Sequence, residues 1–151
     1  MKYLLFIFCT IVAQQCFAQD PYAFVKKYFV IVQSTKDFAA AKLTAAKAAK
    51  QLGEKLDLRG LQPNKKSGLT NSKKDCEMDG YPCYYSRGRY DDGDYVSIEW
   101  SNAFEKFAKG YYIVIVCSGD KTSVTANLQK TKKIFKDAYY KQDSIYLGCM
   151  H

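Results

Sequence analysis

The sequence contains one histidine, His151, and it is the last residue. Ser-His-Asp and Cys-His catalysis need an imidazole base held beside the nucleophile, and a chain terminus holds side chains poorly. Those chemistries are excluded from the reading. The same shortage, with unsuitable cysteine spacing, excludes paired zinc knuckles. No apolar run reaches the roughly 20 residues that cross a bilayer, because Gln14-Gln15 interrupt the first one. The Gly-aromatic strand motif of RNA-recognition domains is absent, so nucleic acid is not an expected partner. Acid is also scarce. There are 15 Asp and Glu against 23 Lys and Arg, for a net charge of +8.

What is present begins with a leader. Met1-Lys2 is a short basic start, Tyr3 to Val12 is apolar and uncharged, and Cys16-Phe17-Ala18 places small residues where a signal peptidase reads. Residues 1–18 are therefore expected to be a secretory signal peptide, cleaved after Ala18. Gln19 would then be the new N-terminus and could cyclise. Acylation at Cys16 is the weaker alternative, because Gln14-Gln15 give it no small, apolar approach. The remaining 19–151, 133 residues long, suit a single domain. The leader holds one lysine and no acid, which leaves a net charge of +7. A basic exported domain favours anionic partners such as acidic lipid, cell-wall carboxylates or an acidic protein. The expected location is the periplasm or the exterior, with no stable membrane insertion after cleavage.

Four cysteines remain after cleavage, which in an exported domain favours disulfides. Cys76 and Cys83 flank the turn-rich Glu77-Met78-Asp79-Gly80-Tyr81-Pro82 and are expected to pair. The pairing of Cys117 and Cys149 stays open.

The strongest pattern is a repeat. Tyr28-Phe29-Val30-Ile31-Val32-Gln33-Ser34 returns as Tyr112-Ile113-Val114-Ile115-Val116-Cys117-Ser118, identical at five of seven positions. Each copy reads as a strand buried on both faces. After the first, Ser34, Thr35 and Asp37 offer capping oxygens. Phe38, Ala41, Ala45, Ala48 and Leu52 then form one helical stripe, with Gly53 at a left-handed cap position. Leu56 and Leu58 alternate with polar residues as a second strand. After the second copy, Asp120, Thr122 and Ser123 can cap a helix striped by Val124, Leu128, Thr131, Phe135 and Ala138. Ser144 to Cys149 reads as a closing strand.

Between the units lies an insertion of about 62–109. Gln62 to Asp75 reads as an exposed loop. Cys83 to Tyr90 and Tyr95 to Ser101 read as a hairpin around Asp91-Asp92-Gly93-Asp94, and Asn102 to Lys109 as one short helical turn. The predicted fold is α+β: a ferredoxin-like β-α-β / β-α-β pseudo-duplicate with an inserted β-hairpin. Right-handed crossovers place both helices on one face of the sheet, with the repeated strands central and adjacent.

Candidate binding residues cluster at the insertion. Tyr84, Tyr85, Tyr90, Trp100 and Tyr112 supply flat apolar area with a polar tip, suited to sugar rings or protein partners. Arg87 and Arg89, two apart on an expected strand, would share one face and grip carboxylates bidentately. Asp91, Asp92, Asp94 and Glu99 are the candidate paired carboxylates for glycoside hydrolysis or for calcium, but turn chemistry accounts for the aspartates more simply. No catalytic residue, metal or cofactor is expected.

The two-unit layout, the leader and the ending Phe135-Lys136-Asp137-Ala138-Tyr139-Tyr140-Lys141 resemble bacterial SPOR (sporulation-related repeat) domains. The resemblance covers Tyr28 to Leu61 and Tyr111 to Leu147. It implies a ferredoxin-like sheet that binds peptidoglycan glycan strands lacking stem peptides, with Gln33 and the Tyr-rich strand starts carrying over. Where that family's first strand ends in Gly-Ser-Phe, this chain has Gln33-Ser34-Thr35 and Cys117-Ser118-Gly119. The expected function is non-enzymatic binding of glycan through the sheet and hairpin. The alternative is a periplasmic immunity or inhibitor protein that blocks a toxin or enzyme.

Overall fold

A computed structural model of the chain describes residues 24–148. The expected signal peptide and Cys149 lie outside the described residues. In chain order the elements are β1 (Phe24–Thr35), α1 (Phe38–Leu52), β2 (Lys55–Leu56), β3 (Gln62–Asn64), β4 (Gly68–Thr70), β5 (Gly93–Trp100), a 3-10 turn (Ser101–Ala103), β6 (Tyr112–Gly119), α2 (Lys121–Lys132) and β7 (Tyr139–Tyr146). The architecture is α+β, with two helices, a mixed five-stranded sheet ordered β2-β5-β6-β1-β7, and a separate β3-β4 hairpin.

The repeated strands are β1 and β6, and they are adjacent and antiparallel at the heart of the sheet. Their side chains divide the interior in two. Val30, Val114 and Val116 join Val96 and Ile98 of β5 in a core that also takes Ala41, Ala45 and Ala48 of α1 and Val124 and Leu128 of α2. Both helices therefore cover one face. Alanine on α1 lets its backbone approach the valine-rich sheet closely, since large side chains on both surfaces would overfill the gap. Phe29, Ile31, Ile113 and Ile115 point the other way and meet Phe104, Phe107 and Ile145.

Local signals act as read. The Asp37 side chain accepts from the Ala39 amide, and Gly53 closes α1 in the left-handed conformation at φ 73°. The Asp120 carboxylate accepts from the Thr122 and Ser123 amides at the start of α2, and these amides hold its carboxyl below the usual range.

The structure corrects several boundaries. The strand at Leu56 is only the two-residue β2, an outer rung parallel to β5, so β5 is the main strand that follows α1. The expected loop 62–75 contains the β3-β4 hairpin. The closing strand runs from Tyr139 rather than Ser144, because the long β1 offers it eight consecutive partners. The hairpin predicted from 83–90 and 95–101 does not form. β5 pairs with β6 instead, and 83–90 is irregular. The Arg87 amide donates to Glu99 and the Gly88 amide to Asp91, so these donors serve side chains rather than ladder rungs. Gly88 itself has φ 102°, and a Cβ there would stand 2.9 Å from Phe29. A residue with a side chain would neither adopt that backbone readily nor fit the space.

Candidate functional site

The insertion divides between the two faces: Leu69 of the β3-β4 hairpin joins the helix-side core, while the segment around Arg87 and Gly88 lies as a lid across the opposite face, where Gly88 meets Phe29 and a buried polar network holds it. Glu99, on β5, is 0% exposed. Its Oε1 and Oε2 accept from Arg59 Nη1 at 3.2 and 3.0 Å, and Oε2 also accepts from the Arg87 amide and the Tyr84 hydroxyl. Tyr84 in turn accepts from the Trp100 amide. Burial, with the Glu99 carboxylate beside it, raises the Tyr84 hydroxyl well above its ordinary value. Burial pulls Arg59 down, but Glu99 and Asp91 more than offset this, so its guanidinium is held up.

Arg87 is also 0% exposed. Its guanidinium donates to Ser118 Oγ (3.0 Å), Tyr95 O (2.8 Å) and Gly93 O (2.6 Å) and lies 3.5 Å from the centre of the Tyr95 ring. Burial lowers its pKa. Carbonyl and hydroxyl dipoles solvate this charge, where most buried arginines use a carboxylate. Asp91 accepts from Gly88 N and Tyr95 Oη, and Lys27 pairs with Asp92.

These contacts revise the predicted site. Arg87 and Arg89 do not share a face: Arg87 is consumed by the fold, and only Arg89 reaches solvent. Glu99 is engaged at both oxygens and is not one of a free carboxylate pair. Trp100 and Tyr112 pack on one another at 4.8 Å, and Phe38 lies 5.2 Å from Tyr112. Gly68 rests on the Trp100 indole so closely that a Cβ would fall 2.2 Å from it. This aromatic pair anchors the β3-β4 hairpin. Gln33 sits beside a bulge of β1, opposite Val114, with Oε1 buried and without a hydrogen-bond partner among the described residues.

Of the remaining candidates, Tyr84, Tyr85 and Arg89 line an open cleft of about 340 Å³, and Tyr90 does not. The insertion supplies Tyr84, Tyr85 and Arg89. The segment after β5 supplies Glu105, and the open end of the β1-β7 pair supplies Phe24 and Tyr146. The Phe24 and Tyr146 rings pack at 5.0 Å and are 60% and 48% exposed. Arg89 Nε donates to Leu147 O at 3.0 Å, and the Tyr90 hydroxyl donates to the same oxygen. The Tyr85 hydroxyl donates to Asp79, which raises its pKa. Aromatic walls around one cation and one carboxylate can stack a flat, hydroxyl-rich ligand and hydrogen-bond its edges. Sequence reasoning missed Phe24, Glu105 and Tyr146. The β1-β7 register, which pairs Phe24 with Tyr146, brings the two ends of the described segment together.

Cys76 and Cys83 form the expected disulfide, with Cα atoms 5.5 Å apart. Cys117 is a free, buried thiol, raised by burial. Among the described residues no three His, Cys, Asp or Glu side chains converge as a metal site, and no helix is long and apolar enough to cross a membrane. No protein-family model matches the chain, and neither does any curated protein or solved structure.

Proposed function

We propose that the chain is an exported, non-enzymatic binding protein whose ligand is peptidoglycan glycan. The reading rests on one observation above all: the exposed cleft sets Tyr85, Phe24 and Tyr146 around Arg89 and Glu105. Aromatic faces suit the apolar faces of sugar rings, and the charged groups suit hydroxyl and acetamido edges. The strand order β5-β6-β1-β7, antiparallel throughout with both helices on one face, supports a ferredoxin-like and SPOR-like topology. The Cys76–Cys83 disulfide supports export. The ligand would lie beside the insertion rather than on the bare sheet, whose second face is occupied by Phe104, Phe107 and Arg87.

Co-sedimentation of the mature protein with purified sacculi tests this reading. Tyr85→Ala and Arg89→Ala are each expected to weaken retention at least tenfold at about 0.3 M salt, where simple charge attraction is screened within a few ångströms. Retention that vanishes with salt in the parent protein, or is unchanged in both variants, would contradict it.

The competing reading is a periplasmic immunity or inhibitor protein. It is favoured by the ring closed by Cys76–Cys83, which holds out Met78 (98% exposed) and Tyr81 (50% exposed) from a rigidly pinned base. Pre-ordered apolar side chains of this kind suit protein contact. Loss of sacculus binding together with capture of an acidic protein, abolished by Met78→Asp, would favour it.

A further inference from the structure

The charge of the chain is distributed very unevenly. Residues 36–52 hold four lysines and Asp37, and residues 120–137 hold five lysines with Asp120 and Asp137. Each segment is therefore +3, so the helix layer carries +6 of the chain's +8. None of these nine lysines is in an ion pair among the described residues. The acids concentrate elsewhere, where they pair with Lys27, Lys55 and Arg59.

Lysines of the two helices meet on one surface. Lys47 of α1 lies 5.8 Å from the centre of the Phe135 ring, which joins the outer face of α1 to the lysine-rich run 130–136 that ends α2. Ala41, Ala45 and Ala48 face the core, so helical spacing places Leu43, Lys47 and Lys50 on the outer face. Leu43 is 75% exposed and Ile134 is 42% exposed. Each of these apolar side chains is bordered by lysines: Lys42 and Lys47 around Leu43, Lys132, Lys133 and Lys136 around Ile134.

We propose that this helix layer is a docking face for an anionic phospholipid surface. Unpaired lysines complement acidic headgroups, each adding roughly fivefold near such a surface. Leu43 and Ile134 would enter the headgroup boundary, a contribution that a soluble polyanion or a sugar chain offers no place for. Binding would be peripheral and reversible, since among the described residues no helix is long and apolar enough to cross a bilayer. The cleft is lined by Ile145 of the cluster opposite the helices, so docking would leave it facing away from the lipid. The proposal stands independently of the glycan reading.

The test is flotation of the mature protein with vesicles of phosphatidylglycerol mixed with phosphatidylcholine, against phosphatidylcholine alone. Flotation only with the anionic vesicles is expected. The Lys47→Glu/Lys133→Glu variant should lose at least tenfold in binding, and Leu43→Ser/Ile134→Ser severalfold. These residues are exposed, and circular dichroism would verify that each variant is folded. No flotation, equal flotation with neutral vesicles, or unchanged binding after charge reversal would overturn the proposal. So would an unaffected Leu43→Ser/Ile134→Ser variant, with polyphosphate bound as tightly as vesicles, because the face would then read charge alone.

Discussion

The two faces of the sheet are covered by opposite means. On the helix side, alanines of α1 and Val124 and Leu128 of α2 close over valines, with Leu61 and Leu69 beside them, in a cluster held by apolar contact. On the other side, part of the cover is aromatic, through Phe104 and Phe107, and part is a lid fastened by Arg87, Glu99, Arg59 and Tyr84. The helix side gains from non-directional burial and tolerates small shifts. The lid side depends on directed hydrogen bonds to buried charges, which are satisfied in one arrangement only. The difference accounts for the cleft. A lid held at fixed points keeps Tyr85 and Arg89 in register with Phe24 and Tyr146, which a lid resting on apolar contacts alone would do less exactingly.

Breaking the network should have the largest effect. Glu99→Ala leaves Arg59 and Tyr84 facing an empty site and is expected to cost about 3–5 kcal/mol, the usual range for removing one partner of a buried pair. Urea unfolding measures it, and a cost under about 1 kcal/mol would mean that the lid is held by something else. Reducing the lid's covalent closure should cost less. Cys76→Ser with Cys83→Ser opens a short ring, for a loss of about 2.5 kcal/mol on the chain-entropy account. Hydrogen exchange should rise in 71–92 while β1 and β6 stay protected, and equal loosening of β1 would remove the distinction between the two sides.

The smallest effects belong to the helix side. Asp37→Ala removes the α1 cap and should cost about 1 kcal/mol, read as a shift in the urea midpoint. Asp120 adds a pH signature. Its carboxyl is lowered in the folded state by the Thr122 and Ser123 amides. Its contribution is therefore complete above the unfolded carboxyl value near 3.8 and is lost as pH falls through the lower folded value. Asp120→Asn should flatten that part of the acid limb in a pH series of unfolding curves. An unchanged limb would show that the cap is not charge-dependent.

The helix side was legible in the sequence, because its signals are periodic and local. The apolar runs of β1 and β6, the alanine stripe of α1 and the Asp37, Gly53 and Asp120 caps can each be read within a few residues. The lid was not legible, because its cohesion is polar and distant. Arg59 and Glu99 meet across 40 positions of sequence, and Arg87 looks like any surface arginine until Tyr95 and Ser118 surround it. Strand β7 was misplaced for a related reason: Tyr139 to Ser144 is polar, and β1 selects it as an edge partner. Trp100 and Tyr112 were read as ligand residues because Tyr and Trp suit a core and a surface equally well. Only Gly68, packed on the indole, decides for the core.

Amide hydrogen exchange with and without soluble, stem-peptide-free glycan strands tests the cleft most directly. The account predicts slowed exchange in 84–89, 103–105 and 144–146, with the helix layer unchanged. No protection anywhere, or protection confined to α1 and α2, would contradict it.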